Sequence, residues 1–186
     1  MFWVLKKNSG YTSLLGDNNQ YHFHPDGSKF WSSGHTSNNV KNGAFAVNGT
    51  TTVGHTANMP NTWNVLSLRT TGDVEASNFF SDRNIGGRYI NGELAELLIY
   101  NTALSDDDIR KMEGYLAHKW GLEGDLSVGH PYEASAPSPW NPTDLSPTIW
   151  LDANDTGYLS SKDHYVKTWK DLSGNGRDAT TTDFAT

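Results

Sequence analysis

The chain contains no cysteine, which excludes disulfide staples and thiolate metal sites. Its 14 basic residues are outnumbered by 21 acidic ones, for a net charge of −7, and its basic clusters are no longer than pairs such as Lys6-Lys7. A nucleic-acid partner is therefore not expected, because binding phosphates needs a concentrated positive face. Apolar runs fall well short of the roughly 18 residues that cross a membrane, so no membrane insertion is expected. The opening MFWVLKKN carries its basic residues after its apolar ones, the reverse of an export signal. Charged residues make up only 19% of the 186 positions. What is plentiful is glycine, with 18 copies, and aromatics, with 7 Trp, 8 Tyr and 7 Phe. That composition is too apolar for a disordered chain and suits short strands joined by many turns.

Local patterns place those strands. FWVLK, residues 2–6, reads as a buried strand. YHFH alternates, setting Tyr21 and Phe23 against His22 and His24. Asp26-Gly27 predicts a hairpin turn, with Lys29-Phe30-Trp31 beginning the returning strand. Asn42-Gly43 and Asn48-Gly49 bracket a strand AFAV. WNVLSLRTT, residues 63–71, and GELAELLIY, residues 92–100, are the clearest strands, and the second is apolar on both faces. One helix is predicted over residues 105–120. Ser105 is its N-cap, Asp108 stands at the capping-box position, and Ile109, Met112, Leu116 and Trp120 form an apolar stripe. Gly121 follows as C-cap. The stretch HPYEASAPSPWNPTDLSP holds five of the seven prolines and reads as a linker or a strap. TIWLDA and YVKTWKDL are two further strands, and the SGNG turn follows them. Many short strands with one helix argue an all-β sandwich.

Two strings carry a resemblance. GELAELLIYNTALSDDDIRKMEGYLAHKWGL resembles the closing strand and helix of laminin-G-like, concanavalin A-like jelly-roll domains. LSPTIWLDANDTGYLSSKDHYVKTWKDLSGNGRDAT resembles the opening strands of the same kind of domain. Such domains occur in large bacterial surface proteins and in virion fibres of marine phages. The resemblance implies an antiparallel jelly-roll β-sandwich with one packed helix near 105–120, with the family order rotated. Residues 1–130 would supply strands and closing helix, 131–147 a Pro-rich linker or strap, and 148–186 the opening strands. The family's further FDG-type strand has no counterpart. The opening strands then complete the sandwich either in cis or in a neighbouring copy by strand addition.

Function follows from this as an expectation. The chain reads as a noncatalytic structural or assembly module of a virion or extracellular surface fibre, contacting copies of itself or neighbouring subunits. The alternative is a carbohydrate-binding adhesion module at surface glycans. In it Trp31, Trp63 and Tyr89 stack on sugar rings while the loops SSGHTSNN and SDRNIGGRY supply polar groups; the same tryptophans also suit a sandwich core. Calcium is a candidate cofactor. Asp171, Ser173 and Asn175 of DLSGNG offer oxygens to a hard cation, with Asp152, Asp155 and Glu96 as further ligands, against a plain turn. Glu96 lies in an apolar strand, where a lone carboxylate is costly unless paired, so a salt bridge or a helix-anchoring hydrogen bond is its other reading. A glycoside hydrolase would need two converging carboxylates. Glu93 and Glu96 point to opposite faces of a strand, and Ala95 stands where jelly-roll glucanases carry aspartate. His22 and His24 share a face at metal-ligand spacing without a third ligand.

Overall fold

The computed structural model describes residues 1–17, 20–83, 87–155, 159–162 and 165–180. Residues 84–86 of the SDRNIGGRY loop and the last six of the 148–186 segment thus lie outside the description. The fold is mostly β, with two α-helices among the described residues. Its centre is a six-stranded antiparallel sheet. The strands are β1 (Phe2–Gly10), β3 (Ala44–Val47), β4 (Thr50–Thr51), β5 (Trp63–Arg69), β7 (Ile90–Ile99) and β8 (Ile149–Asp152), in the order β4-β3-β5-β1-β7-β8. Two small sheets accompany it. One pairs β2 (Leu15–Gly16) with β6 (Asn78–Phe79), and the other orders β11 (Ala179–Thr180), β10 (Tyr165–Trp169) and β9 (Leu159–Lys162).

FWVL shows how the sheet gains two cores. Successive side chains leave a strand on opposite faces, so Trp3 and Leu5 enter one cluster and Phe2 and Val4 the other. β5 divides the same way, with Leu66 and Leu68 in the first cluster and Val65 in the second. The first face is covered by loop residues including Phe23, Phe30, Trp31 and Met59. The second is covered by α2 (Asp106–Trp120), through buried Met112, Leu116 and Ala117. Burial on both faces explains why the second half of β7 is apolar except at Glu96.

The helix forms where the sequence signals it. Ser105 Oγ accepts the Asp108 amide at 3.1 Å, three aspartates occupy the positive first turn, and Gly121 closes the end at φ 68°. Two residues of the Pro-rich stretch contact the helix. Trp140 packs edge-on against Tyr115, with ring centroids 5.7 Å apart, and the His118 ring contacts the Tyr132 carbonyl at 2.8 Å. The helix thus packs against the sheet on one side and meets Tyr132 and Trp140 elsewhere.

Asn48 and Gly49, at φ 50° and 75°, make the hairpin turn between β3 and β4. Three local expectations differ. YHFH is a turn, with Phe23 buried and Tyr21 exposed. It is set by long-range bonds: His22 Nδ1 accepts the Glu75 amide at 2.7 Å, and the His24 carbonyl accepts from Ser32 and Thr36. Asp26-Gly27 does turn the chain, yet Lys29 makes only isolated bridges, to Asp26 and Asn58. A four-residue helix, α1 (Asn38–Lys41), occupies the polar stretch before Asn42, capped by Ser37.

Candidate functional site

The buried charges gather first at β7. The β1–β7 register shifts between Val4 and Leu5, whose partners are Glu96 and Leu94, so Ala95 is the extra residue of a bulge. Ala95 packs in the helix-side cluster, and Glu96, fully buried, turns to the same side. Trp120 Nε1 donates to Glu96 Oε2 and Trp150 Nε1 to Oε1, each at 2.7 Å. Across the β7–β8 ladder Glu96 stands opposite Asp152, and the Lys119 ammonium lies between them, 2.8 Å from Glu96 and 2.6 Å from Asp152. Its Nζ sits 5.5 to 5.7 Å from the ring centres of Tyr115, Trp120 and Trp150. Burial pushes the Glu96 carboxyl above the usual range, and Lys119 and Trp120 pull it part of the way back. Burial would lower Lys119, but Glu96 and Asp152 outweigh it and hold the ammonium above its ordinary 10.5. β7, α2 and β8 are latched here by one lysine and two indoles. Glu93 is elsewhere, in an exposed pair with Lys6 at 3.4 Å.

The DLSGNG loop is a second hydrogen-bonded knot. Asp171 Oδ1 accepts the amides of Trp150 and Ser173, each at 2.9 Å, while Oδ2 accepts Ser173 Oγ at 2.7 Å and the Arg177 amide at 3.1 Å. Asn175 donates its side-chain amide to the carbonyls of Pro147 and Thr148, each at 3.1 Å. Leu172 donates to the Trp150 carbonyl and Trp169 Nε1 to that of Asp152. The outer edge of β8 is thereby engaged. Of the residues considered for calcium, Glu96 and Asp152 share Lys119, whereas Asp171 and Asn175 are bonded at this edge. No group of three or more metal-ligating side chains occurs among the described residues.

Burial alone would raise the Asp171 carboxyl, but the donors from Ser173, Trp150 and Arg177 outweigh it and hold it below its ordinary 3.8. A depressed carboxylate contributes stability that is present above 3.8 and is lost as pH falls through the folded-state value. Carboxyl NMR is expected to place the Asp171 midpoint below 3.8, with stability declining in that acid range. A midpoint at or above the ordinary value would contradict the knot.

A third cluster lies under the middle of α2. Ser67 Oγ donates to Glu113 Oε1 at 2.5 Å, and Glu113 Oε2 contacts His130 Nε2 at 3.3 Å. His130 Nδ1 accepts the Tyr132 amide, which leaves the ring proton on Nε2 facing the carboxylate. All three are buried, beside a cleft of about 430 Å³ between β3, β5 and α2. The serine proton is aimed at glutamate, not at histidine, and the cluster ties Ser67 of β5 and Glu113 of α2 to His130. A second cleft, of about 490 Å³, opens where β1 begins and β5 and β7 end, walled by Phe2, Phe23, Leu68 and Ile99.

The remaining cluster faces outward, at the opposite end of β1 and β7. Gly10 pairs with Ile90, and a Cβ on Gly10 would come within 2.5 Å of the Tyr89 carbonyl, so only glycine permits this approach. Tyr11 and Tyr89 therefore flank the ladder's end. Buried Asp82 gathers Arg83 and Arg88, each at 3.2 Å, with His24 Nδ1 at 3.6 Å. Arg83 stacks 4.1 Å over Tyr21, and Arg88 lies 5.9 Å from Tyr11. Burial, reinforced by the two arginines and opposed by Asp82, keeps His24 below its ordinary value.

Of the aromatics considered for sugar stacking, Trp31 is 1% exposed inside the first core, Trp63 is half-buried against the helix-side cluster, and Tyr89 is 56% exposed. Sequence reasoning passed over Glu113 and Lys119. Glu113 lies one turn from Ile109 and Lys119 one turn from Leu116, so both border the apolar stripe, and that position was the available signal. No family model, curated protein or solved structure matches the chain.

Proposed function

We propose that the chain is a noncatalytic structural or assembly module of a virion or extracellular surface fibre, built as a laminin-G-like jelly-roll sandwich in rotated order. One observation carries this reading. The strand of the WLDA string lies in register beside the strand of the GELAELL string, and a tryptophan from each string, Trp150 and Trp120, meets Glu96. Support also comes from the use made of buried charge. Glu96, Lys119, Asp152, Glu113 and Asp171 all join one element to another. With the outer edge of β8 engaged by residues 169–172, neighbouring subunits dock through other surfaces than this edge. Immunogold microscopy with antibody to the purified chain tests the reading on intact source particles or cells. Gold on the external surface is expected; label found only after permeabilisation would reject it.

A second reading, a carbohydrate-binding adhesion module, is favoured by the exposed tyrosines at the β1–β7 end. Amphipathic rings present an apolar face to a pyranose and a hydroxyl to its rim.

A further inference from the structure

We infer that the outward cluster of Tyr11, Tyr21, Tyr89, Arg83 and Arg88 is a binding site for an acidic saccharide, one bearing carboxylate or sulfate groups; this rests on the carbohydrate-binding reading. Tyr11, Tyr21 and Tyr89 are 37%, 51% and 56% exposed, and they are the large exposed aromatics of the described residues. They come from three separate segments and meet at one end of the sheet, linked through Arg83, Asp82 and Arg88. Packing does not require three rings in solvent. Tyrosine and arginine are enriched among the residues that dominate binding surfaces, tyrosine because its large ring turns on few bonds and arginine because its planar fork is pre-organised for hydrogen bonding.

The charge balance selects the ligand class. Two guanidiniums share the Asp82 carboxylate, so these three groups together sum to one positive charge. Arg83 gives its Nε and Nη2 to Asp82 and is 15% exposed, whereas Arg88, 35% exposed and bonded to Asp82 through Nη1 alone, keeps part of its planar fork for a carboxylate or sulfate. Asp82 is 4% exposed and fixes both guanidiniums before any ligand arrives, which lowers the ordering cost of binding. A long polyphosphate is disfavoured. Its dense charge needs many cations, and the more exposed guanidinium here is that of Arg88 alone.

The test is titration calorimetry of the full chain with heparin and polygalacturonate, with neutral dextran as control. Binding of at least one acidic polymer and none of dextran is expected. Tyr89→Ala and Arg88→Ala are each expected to weaken it about tenfold, since each removes one stacking or fork contact. Lys111→Ala, on the exposed flank of α2, is expected to leave it unchanged. Circular dichroism melts confirm that the variants fold; in Arg88→Ala, Arg83 still neutralises Asp82. Equal binding of dextran would overturn the acidic preference while leaving the carbohydrate-binding reading standing. Silence with every polymer would remove both. Binding that Lys111→Ala weakens as much as Arg88→Ala, or a preference for phosphatidylserine vesicles over acidic polymers, would overturn the site.

Discussion

Lys119→Met is expected to destabilise the fold by about 3 kcal/mol, the lower end of the range for breaking a buried ion pair. The lower end applies because the lysine side chain is 16% exposed. The variant leaves Glu96 and Asp152 opposed across the β7–β8 ladder with the cation between them removed. Like charges directly opposite on neighbouring strands repel, and burial magnifies the effect. Urea titration measures the loss. Glu96→Gln added to the same variant is expected to recover part of it, since a neutral amide removes one of the two carboxylates. The pH dependence has a definite sign. Glu96 already sits above the usual carboxylate range, so its ionisation opposes folding, and stability falls as pH rises through its folded-state value. Without Lys119 that value rises further, and the defect is expected to shrink in acid. A loss under about 0.5 kcal/mol at neutral pH, the size of an ordinary surface change, would show that the lysine does not latch these elements.

Trp31→Ala is expected to cost about 4 kcal/mol, whereas Tyr89→Ala stays within about 0.5 kcal/mol. Trp31 is 1% exposed, and Phe23, Phe30 and Phe45 surround it at centroid distances of 6.5, 6.1 and 5.0 Å. Alanine there removes a large apolar surface and leaves a void that neighbouring rings only partly fill. Tyr89 has no comparable enclosure. The pair of variants separates core from surface by stability alone, measured by thermal or urea unfolding. Comparable losses in both would contradict the placement of Tyr89.

These two residues also mark what could be read from the chain. Strands with dense local signals were legible: FWVL, WNVLSLR and GELAELL stand in the central sheet, and Ser105, the Ile109–Met112–Leu116 stripe and Gly121 bound the helix. Their patterns arise from pleat and helical period, which are local properties. Trp31 and Tyr89 are both amphipathic aromatics, and nothing in their neighbourhoods separates core from surface. YHFH has the alternation of a strand, yet bonds from Glu75, Ser32 and Thr36 bend it into a turn. A buried Glu96 calls for a partner on energetic grounds. That the partners are Lys119, Trp120 and Trp150 depends on a bulge at Ala95 and on where the helix lands. The tyrosine and arginine cluster has no spacing signal, being assembled from three segments.

The account turns on residues 149–152 lying beside 96–99 within one molecule, and the absence of cysteine makes a direct test available. Ile99 and Ile149 are partners at the end of this ladder, so Ile99→Cys with Ile149→Cys places two thiols opposite each other. After mild oxidation at low protein concentration, non-reducing mass analysis is expected to find a monomer with an internal disulfide, reversed by reductant. Disulfide-linked dimers would mean that the C-terminal strand completes another copy, and two free thiols would mean that the strands do not pair.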